Sequence, residues 1–297
     1  SVLRSAGHPQ KAMIATIFTV VINTILDPIF IYGFDMGIRG AAVATIIAQI
    51  LALVWLVKLF SNKEELLHFK RGIYRLNGSL VSNIIGIGMA PFLMNLASCF
   101  IVILINKGLK IYDGDLAIGA FGIVNRIVFL FVMIVIGLNQ GMQPIAGYNF
   151  GAKNYHRVNQ VLKLTVIWAT IITTSGFIVG EFIPELAVSA FTTDEELIRL
   201  SVNGLRIVVM FFPIIGFQMV TSNFFQSIGM ASKAIILSLS RQVLILIPCL
   251  LILPLFFDSF GVWISMPISD ITASIMAGVF LYKQFNEFKK RHNESKI

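Results

Sequence analysis

Residues 12–34 read AMIATIFTVVINTILDPIFIYGF, and residues 38–60 read IRGAAVATIIAQILALVWLVKLF. Each matches the ~20 apolar residues that a helix needs to cross a bilayer. Only a short break around Asp35 and Gly37 separates them, so the two are antiparallel neighbours. Working outward, the same pattern recurs at 80–106, 116–140, 159–181, 196–225, 230–257 and 259–284. The sequence therefore predicts an all-α membrane protein with eight transmembrane helices in this chain. Windows this long and apolar on all sides are not the short alternating strands of a membrane barrel, and lipid requires backbone groups to be satisfied within the segment.

Composition agrees. Of 297 residues, 57% are hydrophobic and 13% charged, and the mean hydropathy is +0.85, which leaves little chain for a soluble domain. The net charge of +8 does not imply nucleic acid, because the basic residues sit at the ends of apolar windows, where membrane lipids are the partner. With eight spans, one side collects Arg4, Lys11, Lys58, Lys63, Lys70, Arg71, Arg75, Lys153, Arg157 and most of the rest, while the other holds Arg39, Lys107, Lys110 and Arg199. The positive-inside rule makes the first side cytoplasmic, so both ends of the chain face the cytoplasm of a cell's inner or plasma membrane. Cys99 and Cys249 fall in separate apolar windows and read as packing residues.

A repeat organises the chain. Ser5-Ala-Gly-x-x-x-Lys11-Ala12 before the first span recurs as Ser227-Ile-Gly-x-x-x-Lys233-Ala234 before the seventh. Each copy runs into a Pro-containing helix, an outer turn with Gly40 or Gly261, and a second helix ending near Lys58 or Lys283. Residues 1–60 are then the last two helices of an N-terminal bundle, 61–79 a cytoplasmic interfacial linker, 80–285 a six-helix C-terminal bundle and 286–297 a cytoplasmic tail. On this reading four helices precede Ser1 in the intact protein, which has twelve helices in two bundles of six.

Ionisable side chains within a bilayer cost at least ~2.5 kcal/mol each and generally face an internal cavity. Five qualify: Asp27, Arg126, Arg206, Arg241 and Asp270. Asp27 and Thr45 each lie ~10 Å below the outer end of their helices. Asn23 and Gln49 sit one turn away on the same faces, so the four can line one crevice. Pro28 leaves the carbonyl of Thr24 without its helical donor and predicts a kink beside the carboxylate. A carboxylate so placed can exchange a proton or Na⁺. Arg241 and Asp270, on neighbouring antiparallel helices, can form a buried structural ion pair or part of a substrate path. Met210, Phe217 and Gln218, in a greasy run from Met210 to Phe225, are candidates for a substrate wall or for plain core packing, as Arg126 and Arg206 are for a polar cavity. No G-x-x-x-x-G-K-[ST] or H-E-x-x-H motif occurs, so the chain reads as no enzyme, without a cofactor, drawing on an ion gradient.

At these residues the sequence resembles the multidrug and toxic compound extrusion (MATE) family. The resemblance rests on Arg4-Ser-Ala-Gly-x-Pro9-x-Lys11-Ala12, Asn23-x-x-x-Asp27-Pro28, Gly37-Ile-Arg39-Gly40-Ala-Ala-x-Ala44-Thr45, Gln143-Pro-Ile-x-Gly147-Tyr-Asn-Phe-Gly-Ala-Lys153, Phe225-Gln-Ser-Ile-Gly229 and Leu239-Ser-Arg241-Gln242. It implies a twelve-helix, two-bundle exporter, functioning as a monomer when full length, that expels amphipathic or cationic drugs in exchange for H⁺ or Na⁺. In one branch of the family an Asn and an Asp on the fifth helix and a Thr on the sixth help hold the coupling cation, which corresponds here to Asn23, Asp27 and Thr45. That site also uses a first-helix Asp, which this chain lacks. Another branch uses an acid on the seventh helix, and the third span here has none. A lipid-linked oligosaccharide or polysaccharide flippase of the same superfamily, or a non-transporting membrane remnant, are the alternatives.

Overall fold

The structure, a computed structural model, describes residues 9–61 and 78–294, and every described element is a helix. The proposed linker falls almost wholly outside the described residues, as do Arg4 and the Ser5–Gly7 start of the first repeat motif. The chain divides into two compact units, Ser1–Ser82 and Asn83–Ile297.

The first unit is a helical hairpin. Helix α1 runs Pro9–Pro28 and continues into a π-helical segment, Ile29–Gly33; after a turn, α2 runs Gly37–Ser61. The expected effect of Pro28 thus appears as a change of helical register. Phe34 N–H reaches back five residues to the Ile29 carbonyl at 3.0 Å, as wide π turns do. The turn uses left-handed backbone at Asp35 and Gly37, both at φ 53°. Beyond it, α2 presents a buried stripe of Gly40, Ala44, Ala48 and Ala52. Gly40 permits the closest approach: a Cβ there would stand 2.5 Å from the Phe30 carbonyl oxygen. Small residues four apart let two membrane helices pack backbone to backbone.

Helix α3 spans Gly78–Gly151, all but its first five residues in the second unit, with a break at Gly114 (φ 77°) that falls in the predicted gap between the third and fourth spans. It extends past the expected end at 140. Asn139, Gln140 and Gln143 lower the apolarity there, but the helix runs on through Pro144 to Gly151, so hydropathy marks the end before the helix does. Helix α4 (Tyr155–Phe182) buries Val158, Leu162, Thr165, Ala169, Thr173, Gly176 and Gly180 on one face. It exposes Leu164, Ile167, Trp168, Ile171 and Ile178 on the other, a lipid-facing stripe at helical spacing. The short α5 (Pro184–Ser189) leads to α6 (Glu195–Val209), capped by the Asp194 carboxylate accepting from Leu197 N–H at 2.9 Å, and α7 (Phe212–Ser227).

The predicted sixth span is not one straight helix. Helices α6 and α7 meet at 54°, with Pro213 in the first turn of α7, where its missing N–H costs nothing. The seventh predicted span is likewise segmented into α8 (Ala231–Leu239), a second π segment at Ser240–Leu246, and α9 (Ile247–Ile252) with Pro248 in its first turn. Helix α10 (Pro254–Glu294) breaks at Asp258, φ 50°, at the predicted boundary between the last two spans.

Six helices among the described residues are long and apolar enough to cross a bilayer, or seven if α6 and α7 form one bent span. One of the six, Phe92–Gly151, has 60 residues. At 1.5 Å per residue it would be ~90 Å long if straight, about three bilayer cores. Two apolar cores hold the second unit together, one around Ile105, Val124, Leu205, Phe212 and Trp263, the other around Met142, Leu162, Phe224, Phe225 and Leu281. Cys99 is exposed, contrary to its reading as a packing residue, and Cys249 is half-buried; both are free thiols.

Candidate functional site

In the hairpin the network centres on Asn23. Its amide nitrogen donates to Asp27 Oδ1 at 3.1 Å and to Thr45 Oγ1 on α2 at 3.3 Å. The Thr45 hydroxyl gives its own proton to the Ala41 carbonyl at 2.9 Å, which leaves its oxygen free to accept from Asn23. One NH₂ group thereby ties a carboxylate to a hydroxyl across two helices. The carboxylate is met only by neutral donors: among the described residues its one hydrogen bond is that from Asn23, and no cation pairs with it. Asn23 and Asp27 are half-buried, and Gln49, one turn along α2 from Thr45, is exposed. The wide π turn begins two residues after Asp27, immediately beyond Pro28.

The second unit holds a half-open cavity of about 280 Å³. Its polar lining is Ser98, Asn125, Arg241, Gln242, Ser269 and Asp270, and its apolar walls include Phe121, Phe129, Phe212, Met219 and Met266. Arg241 Nε donates to Asp270 Oδ1 at 2.6 Å, so the two intramembrane charges expected to pair are in contact. The carboxylate lies behind the guanidinium, with its side chain 4% exposed against 32% for the arginine. Gln242 donates to Ser98 Oγ at 3.0 Å, while Ser98 donates to the Met94 carbonyl at 2.9 Å. Arg241 and Gln242 both belong to the π segment Ser240–Leu246, and Val208, Phe212 and Ile215 flank the α6–α7 bend, so two irregular stretches of backbone border the same cavity. At membrane depth irregular backbone is tolerated where protein or a water-filled cavity surrounds it.

The remaining sequence candidates lie elsewhere. Arg126 and Arg206 are exposed, Met210 is 47% exposed at the α6–α7 break, and Gln218 is buried. Phe217 packs beside the second core. None of the five lines this cavity. From the greasy run, Phe212 and Met219 do line it, whereas Phe224 and Phe225 are core.

Sequence reading missed Ser98, Asn125, Gln242 and Ser269 as cavity residues. Gln242 had a signal, an amide beside an intramembrane arginine, but Ser98 lies far away in sequence and only the fold joins them. Two further polar features, a half-buried lysine on a buried glutamine and a buried asparagine, were also missed. Lys233 Nζ donates to Gln284 Oε1 at 2.8 Å and lies 5.7 Å from the Phe225 ring. Asn139, 3% exposed, has neither side-chain polar atom satisfied.

Helices of bilayer length that bring an ion pair and amides onto an otherwise apolar internal cavity are the build of a secondary transporter. A family comparison agrees: the MatE model matches residues 86–251, and the chain belongs to this family of transporters. It is 29% identical over 279 residues to the multidrug export protein MepA of Staphylococcus aureus (strain MSSA476), which covers 94% of this chain and 61% of MepA. The chain thus spans about three-fifths of that relative's length. Among solved structures, the MATE multidrug transporter DinF-BH superposes with a TM-score of 0.81 at 36% identity, over 92% of this chain and 61% of that one. A MOP superfamily transporter from Pyrococcus furiosus, described as having a binding pocket of reverse polarity, superposes at 0.87 over 97% of this chain and 65% of its own. At 22% identity that likeness concerns the fold.

Proposed function

We propose that this chain forms part of an exporter that moves amphipathic, often cationic compounds out of the cell in exchange for H⁺ or Na⁺, and that Asp27 carries the coupling cation. The observation behind this reading is the bond from Asn23 to both Asp27 and Thr45. A carboxylate held by a neutral amide keeps its charge available, and the hydroxyl and amide oxygens beside it suit a hard cation such as Na⁺ as well as a proton. The relatives' names, multidrug export protein and multidrug transporter, support the direction of transport and the class of cargo. In the proposed arrangement the chain contributes eight spans, two to an N-terminal and six to a C-terminal bundle, of a monomeric twelve-helix protein in the plasma membrane, with both chain ends cytoplasmic. Moving one net charge through 100 mV supplies ~2.3 kcal/mol, a ~50-fold bias between states.

A flippase for anionic lipid-linked sugars fits less well. It calls for a lumen with several cations, yet of the three intramembrane arginines only Arg241 lines the cavity, and neither Arg126 nor Arg206 joins it.

The test is efflux of a fluorescent lipophilic cation from vesicles holding the full-length protein, with Asp27→Asn beside wild type, under imposed pH and Na⁺ gradients. Gradient-driven efflux that disappears in a folded Asp27→Asn protein is the expected result, and the gradient that drives it identifies the ion. Efflux that survives the substitution would remove Asp27 from the mechanism.

A further inference from the structure

The geometry points to a second ligand site inside the C-terminal unit, the cavity at Arg241, that binds small aromatic carboxylates carrying a hydrogen-bond donor. The charge a ligand meets there is set by burial. Both residues line the cavity, but the Asp270 side chain is almost wholly buried while a third of the Arg241 side chain is exposed, so the arginine is the more accessible charge of the pair. Its bond to Asp270 uses Nε, which leaves the N–H groups of Nη1 and Nη2, a planar fork suited to a carboxylate. Gln242 supplies the second half of the argument: its Oε1 is buried without a partner, an acceptor awaiting a donor, while its amide nitrogen is committed to Ser98. Phe121, Phe129, Phe212 and Met219 offer ring faces and a soft thioether for an aromatic body. The volume, about 280 Å³, is at the small end of ligand pockets and suits one or two fused rings. A carboxylate for the fork, a donor for Gln242 and a flat apolar body define the ligand.

Indole-3-acetate combines these features, and tryptamine is the same indole with the opposite charge. Equilibrium dialysis of each against the purified chain in neutral detergent, with protein-free micelles subtracted, reads binding without transport, so the outcome does not depend on the role given to Asp27. The expected result is saturable binding of indole-3-acetate at one site per chain, at least tenfold tighter than tryptamine and several-fold tighter than 1-naphthylacetate, which lacks the ring N–H. Arg241→Gln combined with Asp270→Asn, which removes both charges and leaves neither buried alone, should weaken indole-3-acetate at least tenfold. Met219→Trp, which fills the cavity and leaves the ion pair intact, should do the same and serves if the double variant does not fold. Tryptamine binding as well as or better than indole-3-acetate would overturn the proposal. So would a carboxylate affinity indifferent to both variants, or dodecanoate outcompeting the indole, which would make the cavity an acyl-chain site.

Discussion

Within each of two helix pairs, α1–α2 in the first unit and α9–α10 in the second, a glycine sits against the neighbouring backbone, and the spacing sets what a single methyl group should do. A Cβ on Gly40 would stand 2.5 Å from the Phe30 oxygen and 2.6 Å from its carbonyl carbon; one on Gly261 would stand 2.5 Å from both the carbon and the oxygen of the Leu253 carbonyl. These obstacles are backbone atoms, which cannot rotate aside as a side chain does, so each Gly→Ala change must push its helix away from its neighbour. Overpacking costs ~1–3 kcal/mol, and rigid obstacles argue for the upper end. Alanine's helix propensity returns up to ~1 kcal/mol, which leaves a net loss of about 2 kcal/mol at each site. Gly122 is the control, because its Cβ would meet nothing within 4 Å, and Gly122→Ala should gain ~0.4–1 kcal/mol. Equilibrium unfolding in mixed micelles, followed by circular dichroism, separates the three. Gly40→Ala should also part Asn23 from Thr45, whose 3.3 Å contact has no slack, so cation coupling in vesicles should weaken with it. Gly40→Ala or Gly261→Ala as stable as Gly122→Ala would refute this account of the packing.

Arg241→Gln alone leaves the Asp270 carboxylate buried without its partner and should cost ~3–5 kcal/mol; adding Asp270→Asn should restore most of that loss, and a double variant no more stable than the single would show that the pair is not what holds α8–α9 to α10. Asn139→Leu should raise the unfolding midpoint, because an amide with both polar atoms unsatisfied at 3% exposure carries an uncompensated desolvation cost of ~1–3 kcal/mol. A lowered midpoint would mean that the amide has a bound partner, such as a structural water.

Bilayer-length apolar windows carried most of the fold into the sequence, because a lipid-exposed helix must be apolar for its whole length. The boundary at Asp258 and the gap around Gly114 were visible as brief losses of apolarity. The α6–α7 bend was not, since Met210, Phe211 and Phe212 are as apolar as their neighbours, and hydropathy does not register a change of direction. Nor were the π segments, which are shifts of hydrogen-bond register within apolar runs. The Asn23, Asp27 and Thr45 network was readable because two of its members share one helix and the third follows across one short turn. The cavity residues were scattered from Ser98 to Asp270, and a contact between segments so far apart leaves no periodic trace.

The repeat extends further than the shared Ser, Gly and Lys suggest. Gly40, Ala44, Ala48 and Ala52 on α2 match Gly261, Ser265, Ser269 and Ala273 on α10, all buried and all four apart. Each stripe follows an Asp in left-handed backbone, Asp35 or Asp258, and each partner helix contains a π segment. In that register Gln49 of α2 corresponds to Asp270 of α10. The scaffold is common, but the polar equipment has diverged, and electrostatics says how the labour divides in the proposed scheme. Asp270 is in contact with a guanidinium, an attraction of about 4 kcal/mol for unit charges 4 Å apart at an effective dielectric constant of 20. A proton or Na⁺ arriving there would have to displace Arg241 and leave a bare cation inside the bundle. Asp27 has an amide in place of the guanidinium, so a cation arriving there cancels a charge and creates none. The same pairing that disqualifies Asp270 as a cation site occupies Arg241 through Nε and leaves its Nη N–H groups over in a residue that lines the cavity. One helix pair is thereby suited to cations and the other to carboxylates.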